Sequence, residues 1–484
     1  MVRVRGRAGP RVTSSSNSSP VDEVFGAERE NAAPAPRLRK FEEEKADLCN
    51  RLITTTIESA LLLPATAGKH KLAKNTGRFR NLLFRGSSLL KLKALSLIAF
   101  ALVLSLGAVR AYRYPEYSND GLSYMANAVA MRGASVEQIH DIVYRAAKAG
   151  IPAPAFDHLT GNDTNAPAME NESFRDRATN PYHFAEFLPC FAIRPIFTEL
   201  VYVLHYWFGV GLLSSIVLIP AASYWLMGCV VLAWLSRYLA TEMAVLLSVA
   251  LMLTPPLWDM PRSTTPDSLS ALIVLSAAFL LFEQRKLLPG LILLNASVYV
   301  RTDNVILVLL VLAYLSLAES DLRVSHAVVL SLVAIGSVAL INHFAGDYGP
   351  KMLYYRIENT PTAIGEFVPS YNIHDYLRDL RMGIAGALHG HYIPFLLMGL
   401  VGLLRRRSRA IVGLTIITFV YTAAHLVIYP VPETRYFGLF FAVMGIATAS
   451  AVSVNKGREQ TLAAYPIVSR KHSRLIQAVT AIVR

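Results

Sequence analysis

The sequence predicts an all-α polytopic membrane protein, a bundle of about 9–11 transmembrane helices whose outer loops carry short interfacial helices. Three observations carry this expectation. Hydrophobic residues make up 53% of the chain and charged residues only 17%, with a mean hydropathy of +0.39. Several apolar runs reach the roughly 18 residues that a bilayer crossing needs. The net charge of +13 gathers before Lys93, in Arg405-Arg406-Arg407-Ser408-Arg409 and near the C-terminus, the pattern of segments that face an anionic inner leaflet. That distribution points to topology rather than to nucleic acid.

Residues 1–90 read as a basic, largely disordered cytoplasmic tail. Ser, Pro, Ala and mixed charge dominate to about Glu44, and no apolar core follows Arg3, Arg5 and Arg7 as a signal peptide would require. A helical period in Leu48, Leu52, Ile53, Ile57 and Leu61 suggests a short amphipathic helix between Phe41 and Leu63. The membrane domain is expected over 91–455. Its first crossing, Ala94–Ala111, runs outward into a polar loop of about 112–210. Arg194–Trp207 closes that loop; it is apolar but only about fourteen residues long, too short to cross, and its Tyr202, Tyr206 and Trp207 suit an outer surface.

The second crossing is Leu212–Leu235. Ala244–Pro255, Leu269–Phe282, Leu287–Val300, Val305–Leu317 and Ala327–Phe344 alternate after it. A second outer segment covers about 346–390, and Tyr392–Leu404, Ile411–Ile428 and Tyr436–Ser453 follow. Residues 456–484 form a basic C-terminal tail, which places both termini in the cytoplasm. Cys49, Cys190 and Cys229 have no metal-ligand spacing and fit no disulfide framework.

This topology puts four ionisable clusters on one side: Asp120, Asp267, Arg301-Thr302-Asp303 and Glu433-Thr434-Arg435. Charge near hydrocarbon needs a partner, water or a function. Each has an ordinary explanation when taken alone. Asp267 suits a helix cap, and Arg301 and Arg435 suit snorkelling at span ends. Tyr124 lies four residues after Asp120, on the same helical face. His389 and His391 are too few for a metal site. Asn162 and Asn171 head glycosylation triplets of a kind frequent by chance. Tyr348, Tyr354, Tyr355, Phe367, Tyr371 and Tyr376 make the second outer segment aromatic, as a lid or as interfacial anchors. No Gly-rich phosphate loop and no His/Cys set occurs, which argues against a nucleotide-sugar donor or a zinc enzyme.

In order along nearly the whole membrane domain stand Asn119-Asp120 with Tyr124, Arg194-Pro195, Thr254-Pro255-Pro256, Arg262 through Asp267, Arg301-Thr302-Asp303 and Glu433-Thr434-Arg435-Tyr436. In these motifs the chain resembles the GT-C class of polyprenyl-phosphate-dependent membrane glycosyltransferases, the superfamily of protein O-mannosyltransferases, aminoarabinose transferases and the catalytic subunit of oligosaccharyltransferase. The resemblance implies a GT-C-like bundle and inverting transfer of a sugar from a polyprenyl-phosphate donor to an extracytoplasmic glycan, lipid or protein acceptor, among membrane lipids. It makes Asp120 the general base, with Tyr124, Asp267, Arg301, Asp303, Glu433, Arg435 and Tyr436 binding substrate. Arg301 and Arg435 are the expected partners of the leaving phosphate. Asp267 either orients the acceptor or joins Asp120 in holding a divalent cation, Mg or Mn. Many members carry a second acid directly beside the first, whereas Asn119 and Gly121 flank Asp120 here. Glu116 is the nearest substitute, and the role of a metal stays open. The compact loops point to a bacterial inner membrane. The alternative is a transporter or lipid-linked-sugar flippase, which calls for charges near the midplane and broken helices in matching halves.

Overall fold

The computed structural model describes residues 93–348, 355, 367–368, 370, 372–405 and 408–453. These residues are about 80% helical, and no strand occurs among them. The tails expected at 1–90 and 456–484, with the Phe41–Leu63 helix and Cys49, lie outside the described residues.

Helix α1 (Lys93–Arg113) is apolar along its length. A group of short helices follows: α2 (Asn119–Ala130), α3 (Val136–Gly150), α4 (Ala153–Leu159), α5 (Ala168–Thr179), α6 (Pro181–Ala192) and α7 (Pro195–Tyr202). Next come α8 (Leu212–Leu235), α9 (Thr241–Met252), α10 (Pro255–Asp259) and α11 (Asp267–Ala278). Then follow α12 (Leu287–Val300), α13 (Asn304–Leu317) and α14 (Val324–Phe344). The last four are α15 (Ile373–His389), α16 (Tyr392–Arg405), α17 (Arg409–Ile428) and α18 (Gly438–Val452).

Among the described residues, five segments are long and apolar enough to cross a membrane: α1, α8, α14, α17 and Thr434–Val452. Three bent pairs, α6 with α7, α9 with α10 and α15 with α16, raise the number to eight. Such a set fits a multi-pass membrane protein. Two features depart from the uninterrupted crossings expected from sequence. Helices α12 and α13 have only 14 residues each, because the chain reverses sharply at Arg301. Pro255 and Pro256 start a new helix after α9 and turn the chain by 70°, as prolines do at a first helical turn.

The helix expected at Arg194–Trp207 packs one face against the protein. The chain bends by 114° before Pro195, and α7 buries Phe197 and Val201 completely. Tyr124 of α2 stands edge-on to Phe197 at 4.9 Å and to Phe191 of α6 at 5.5 Å. The other side of α7 is open, with Glu199 exposed, and the π-turn Val203–Trp207 ends with Trp207 72% exposed.

The entry to α2 is tied to the segment before α11. Glu116 N–H donates to Arg262 O at 2.7 Å, and Arg262 Nε donates to Tyr114 O at 2.9 Å. Arg262 Nη1 also pairs with Glu116 Oε1 at 2.8 Å. Glu116 is therefore held by Arg262 and lines neither of the two cavities that Asp120 enters. Gly121 lets the two segments touch, since a Cβ there would fall 2.5 Å from Thr264 Oγ1. We expect Gly121→Val to destabilise the protein by about 1–3 kcal/mol through overpacking, measured as a lowered melting temperature in detergent.

Candidate functional site

Asp120 lies in the first turn of α2, where the Ser118 hydroxyl accepts from Gly121 N–H. A carboxylate at that end suits the helix dipole. Asp120 is half-buried and lines a cavity of 410 Å³. Among the described residues its carboxylate has no hydrogen-bond or ion-pair partner. It is set instead among guanidinium groups, since Arg194, Arg301 and Arg435 line the same cavity.

Arg301 reaches the site because α12 ends at Val300 and the chain turns back within three residues into α13. Its Nε donates to Asp303 Oδ1 at 3.0 Å and its Nη2 to Asp303 Oδ2 at 2.6 Å. Its Nη1 donates to Asp267 Oδ1. Arg301 is 6% and Asp267 5% exposed, so neither snorkelling nor a simple helix cap describes them. Asp267 Oδ2 accepts from Thr265 Oγ1 at 2.6 Å. His425 of α17 completes the group with Nε2 3.0 Å from Asp303 Oδ2. Asp303 sits in the turn between helices. Burial works against its charge, but the Arg301 guanidinium and then His425 outweigh it and hold the carboxyl well below the usual range. A depressed folded pKa contributes stability that is complete above the ordinary carboxylate value and lost as pH falls toward the depressed one. The melting temperature is accordingly expected to hold steady from about pH 8 to 5 and to drop below about pH 4.

Arg435 enters from the short turn Thr434–Phe437. It donates to Ser263 Oγ and to Tyr436 OH, both at 3.1 Å, and pairs with Glu433 at 2.5 Å. Its Nε lies 3.8 Å from Asp267 Oδ2. Both Arg301 and Arg435 sit over the Tyr436 ring, at 4.8 and 5.1 Å. Arg194 donates to the Tyr124 hydroxyl and has no carboxylate within ion-pair distance among the described residues. Burial raises the Tyr124 phenol, although Arg194 pulls it down, so it stays a neutral acceptor for that bond.

The expected residues thus converge, in two layers. Asp120, Arg301, Asp303, Arg435 and Tyr436 line the cavity, while Tyr124, Asp267 and Glu433 lie behind and brace them. Arg194 and His425 were not singled out as site residues. A histidine within an apolar run was the available signal for His425, and for Arg194 the signal was its place in the Arg194-Pro195 motif. Beyond this wall Val305, Ile306, Val338 and Ile428 make the cavity apolar on the side of α13, α14 and α17.

A second cavity of 270 Å³ shares Asp120, Phe191 and Arg435 with the first. Its other walls come from α4, α5 and α6, together with Tyr355. Tyr355 packs on Phe187 at 5.9 Å and on Phe367 at 5.3 Å, so part of the aromatic second segment closes over the first loop. His389 is exposed and bonds Ala385 O at the end of α15.

Among the described residues no three His, Cys, Asp or Glu side chains converge as metal ligands. Asp267 lines neither cavity, and its two oxygens already accept from Arg301 and Thr265. Asp120 and Asp267 thus line no common cavity, and of the three guanidiniums beside Asp120, Arg301 and Arg435 are already paired with carboxylates. No protein-family model, curated protein or solved structure matches the chain.

Proposed function

We propose that this chain is a membrane glycosyltransferase that moves a sugar from a polyprenyl-phosphate donor to an acceptor hydroxyl or amine, with inversion. One observation carries the reading: the Asp120 carboxylate, which has no hydrogen-bond or ion-pair partner among the described residues, shares with three arginines a cavity also lined by apolar residues of α13 and of the candidate spans α14 and α17. A lipid phosphate has that same division, with an apolar chain and an anionic head.

In this mechanism the donor phosphate rests on Arg194 and Arg435, with its prenyl chain along Val305, Ile306 and Val338. Arg194 is the better placed of the two, because Arg435 already pairs with Glu433. Arg301 is held by two carboxylates and chiefly fixes the cavity wall. The acceptor approaches from the other side of Asp120. Its oxygen or nitrogen attacks the anomeric carbon as the bond from that carbon to the phosphate oxygen breaks. The electron pair of the broken bond stays on the phosphate, where guanidinium donors stabilise the growing charge. The acceptor proton passes to Asp120, which acts as general base. Attack opposite the leaving group inverts the centre.

Farnesyl phosphate tests donor recognition without a known acceptor. It is expected to raise the melting temperature of the purified protein in nanodiscs, by an amount equivalent to about 2.7 kcal/mol at a hundred times its Kd. Farnesol should have no comparable effect, and Arg194→Gln should abolish the response. Equal stabilisation by the alcohol would count against phosphate recognition.

A further inference from the structure

The second cavity differs from the first in what walls it. The apolar residues of α13, α14 and α17 that line the first are not part of it, and its surface comes largely from the short helices between α1 and α8. Arg177, in the last turn of α5, lies across the faces of Phe187 at 4.2 Å and Phe174 at 5.1 Å. Its hydrogen bonds go to Ser173, from Nε to the carbonyl at 3.2 Å and from Nη2 to the hydroxyl at 2.8 Å. No carboxylate lies within ion-pair distance of it among the described residues. Burial between the rings pushes its guanidinium below the ordinary range, although Tyr355, Tyr144, Asp120 and Asp176 act against it from a distance.

Among the described residues, two further groups in the same cavity have no hydrogen bond or ion pair. Both polar atoms of the Asn119 side chain are shielded from solvent with no hydrogen bond among the described residues. Glu170 stands seven residues before Arg177 on α5, so the two lie on one helical face about 10 Å apart. The cavity is therefore lined by the Arg177 and Arg435 cations, the Asp120 and Glu170 carboxylates, the Asn119 amide, and the Phe191 and Tyr355 rings. Buried polar groups of this kind are normally hydrogen-bonded, and each one left open asks for a partner.

We propose that this second cavity is the acceptor subsite and that it selects an acidic sugar, one carrying a carboxylate or phosphate. The anion sits on Arg177, hydroxyls bond to Asn119 and Glu170, and the nucleophilic hydroxyl reaches Asp120 at the junction of the two cavities. The volume of 270 Å³ lies just under the roughly 300–1,000 Å³ of sites for drug-sized ligands, in keeping with a mono- or disaccharide unit. The proposal rests on the transferase reading for its name as an acceptor site, but anion selectivity stands on the cavity alone.

The test is equilibrium binding to the full chain in nanodiscs, with methyl glucuronide, glucose 6-phosphate and neutral methyl glucoside as probes. The wild-type protein should bind one or both acidic sugars and discriminate against the neutral one. Preference for the uronate identifies a carboxylate as the recognised group, and preference for the phosphosugar a phosphate. Arg177→Gln should weaken acidic-sugar binding about 10- to 100-fold, with Arg177→Lys intermediate. Equal binding of all three probes, binding of none, or discrimination that survives in Arg177→Gln overturns the proposal. The wild-type comparison needs no variant, so poor folding of Arg177→Gln does not remove the test. Farnesyl phosphate binding in the same preparation separates the two claims. If it fails while acidic sugars bind, the donor reading falls and the anion subsite stands; the reverse result removes the subsite alone.

Discussion

Asp120→Asn is expected to lower transfer by about 10²- to 10⁴-fold, the usual contribution of a positioned general base. The same variant should fold normally. Asparagine keeps the shape of the side chain, and Asp120 makes no ion pair or hydrogen bond among the described residues whose loss would destabilise α2. The split between chemistry and stability is the informative part. Farnesyl phosphate should still bind Asp120→Asn, since the phosphate is assigned to Arg194 and Arg435. Turnover with a donor and acceptor pair, set beside the melting temperature, checks both halves. Near-normal turnover in Asp120→Asn would sink the mechanism.

Arg301→Met should produce the largest loss of stability, about 3–5 kcal/mol, because it strands the buried Asp267 and removes the bidentate partner of Asp303. The pair is enclosed at 6% and 5% exposure, so solvent does little to compensate. Arg301→Lys should be intermediate, since an ammonium keeps the charge but cannot reproduce the fork that spans Asp303 and reaches Asp267. Adding Asp267→Asn to Arg301→Met should recover part of the loss by removing the uncompensated charge. Denaturation in mild detergent reads all three variants. An unaltered melting temperature in Arg301→Met would show that this network does not hold the end of the bundle together.

The long elements were the legible ones. Leu212–Leu235 and Leu287–Val300 follow from uninterrupted apolar runs, and their observed ends coincide with those expected. Boundaries shifted where charge or proline meets the run, as at Arg409 and Asn304, because a helix continues for a residue or two beyond the apolar stretch when caps allow. The packing of helix α7 was not legible for another reason. Its Phe197 and Val201 form an inward face against α2 and α6, and sequence separation hides such partners.

The site was legible to the extent that its charges sit at the ends of apolar runs. Asp120, Arg301 and Arg435 stand out there, and the fold brings them to one cavity. Their division of labour was not legible. That Arg301 is held by two carboxylates and Arg194 by none depends on how the α12–α13 turn and α7 pack, which no local pattern encodes. The second cavity was invisible for the same reason, since Asn119 and Arg177 lie 58 residues apart and meet only through α5 and α6.

The most direct test of the central claim compares cell-envelope glycans and lipid-linked sugars by mass spectrometry in strains carrying the wild-type chain, a deletion and Asp120→Asn. Polyprenyl-phosphate transfer predicts one glycosyl unit missing from an acceptor in both altered strains, with its lipid-linked donor accumulating. Full rescue of a deletion phenotype by the Asp120→Asn protein would contradict it, making Asp120 a structural carboxylate and transport the better reading.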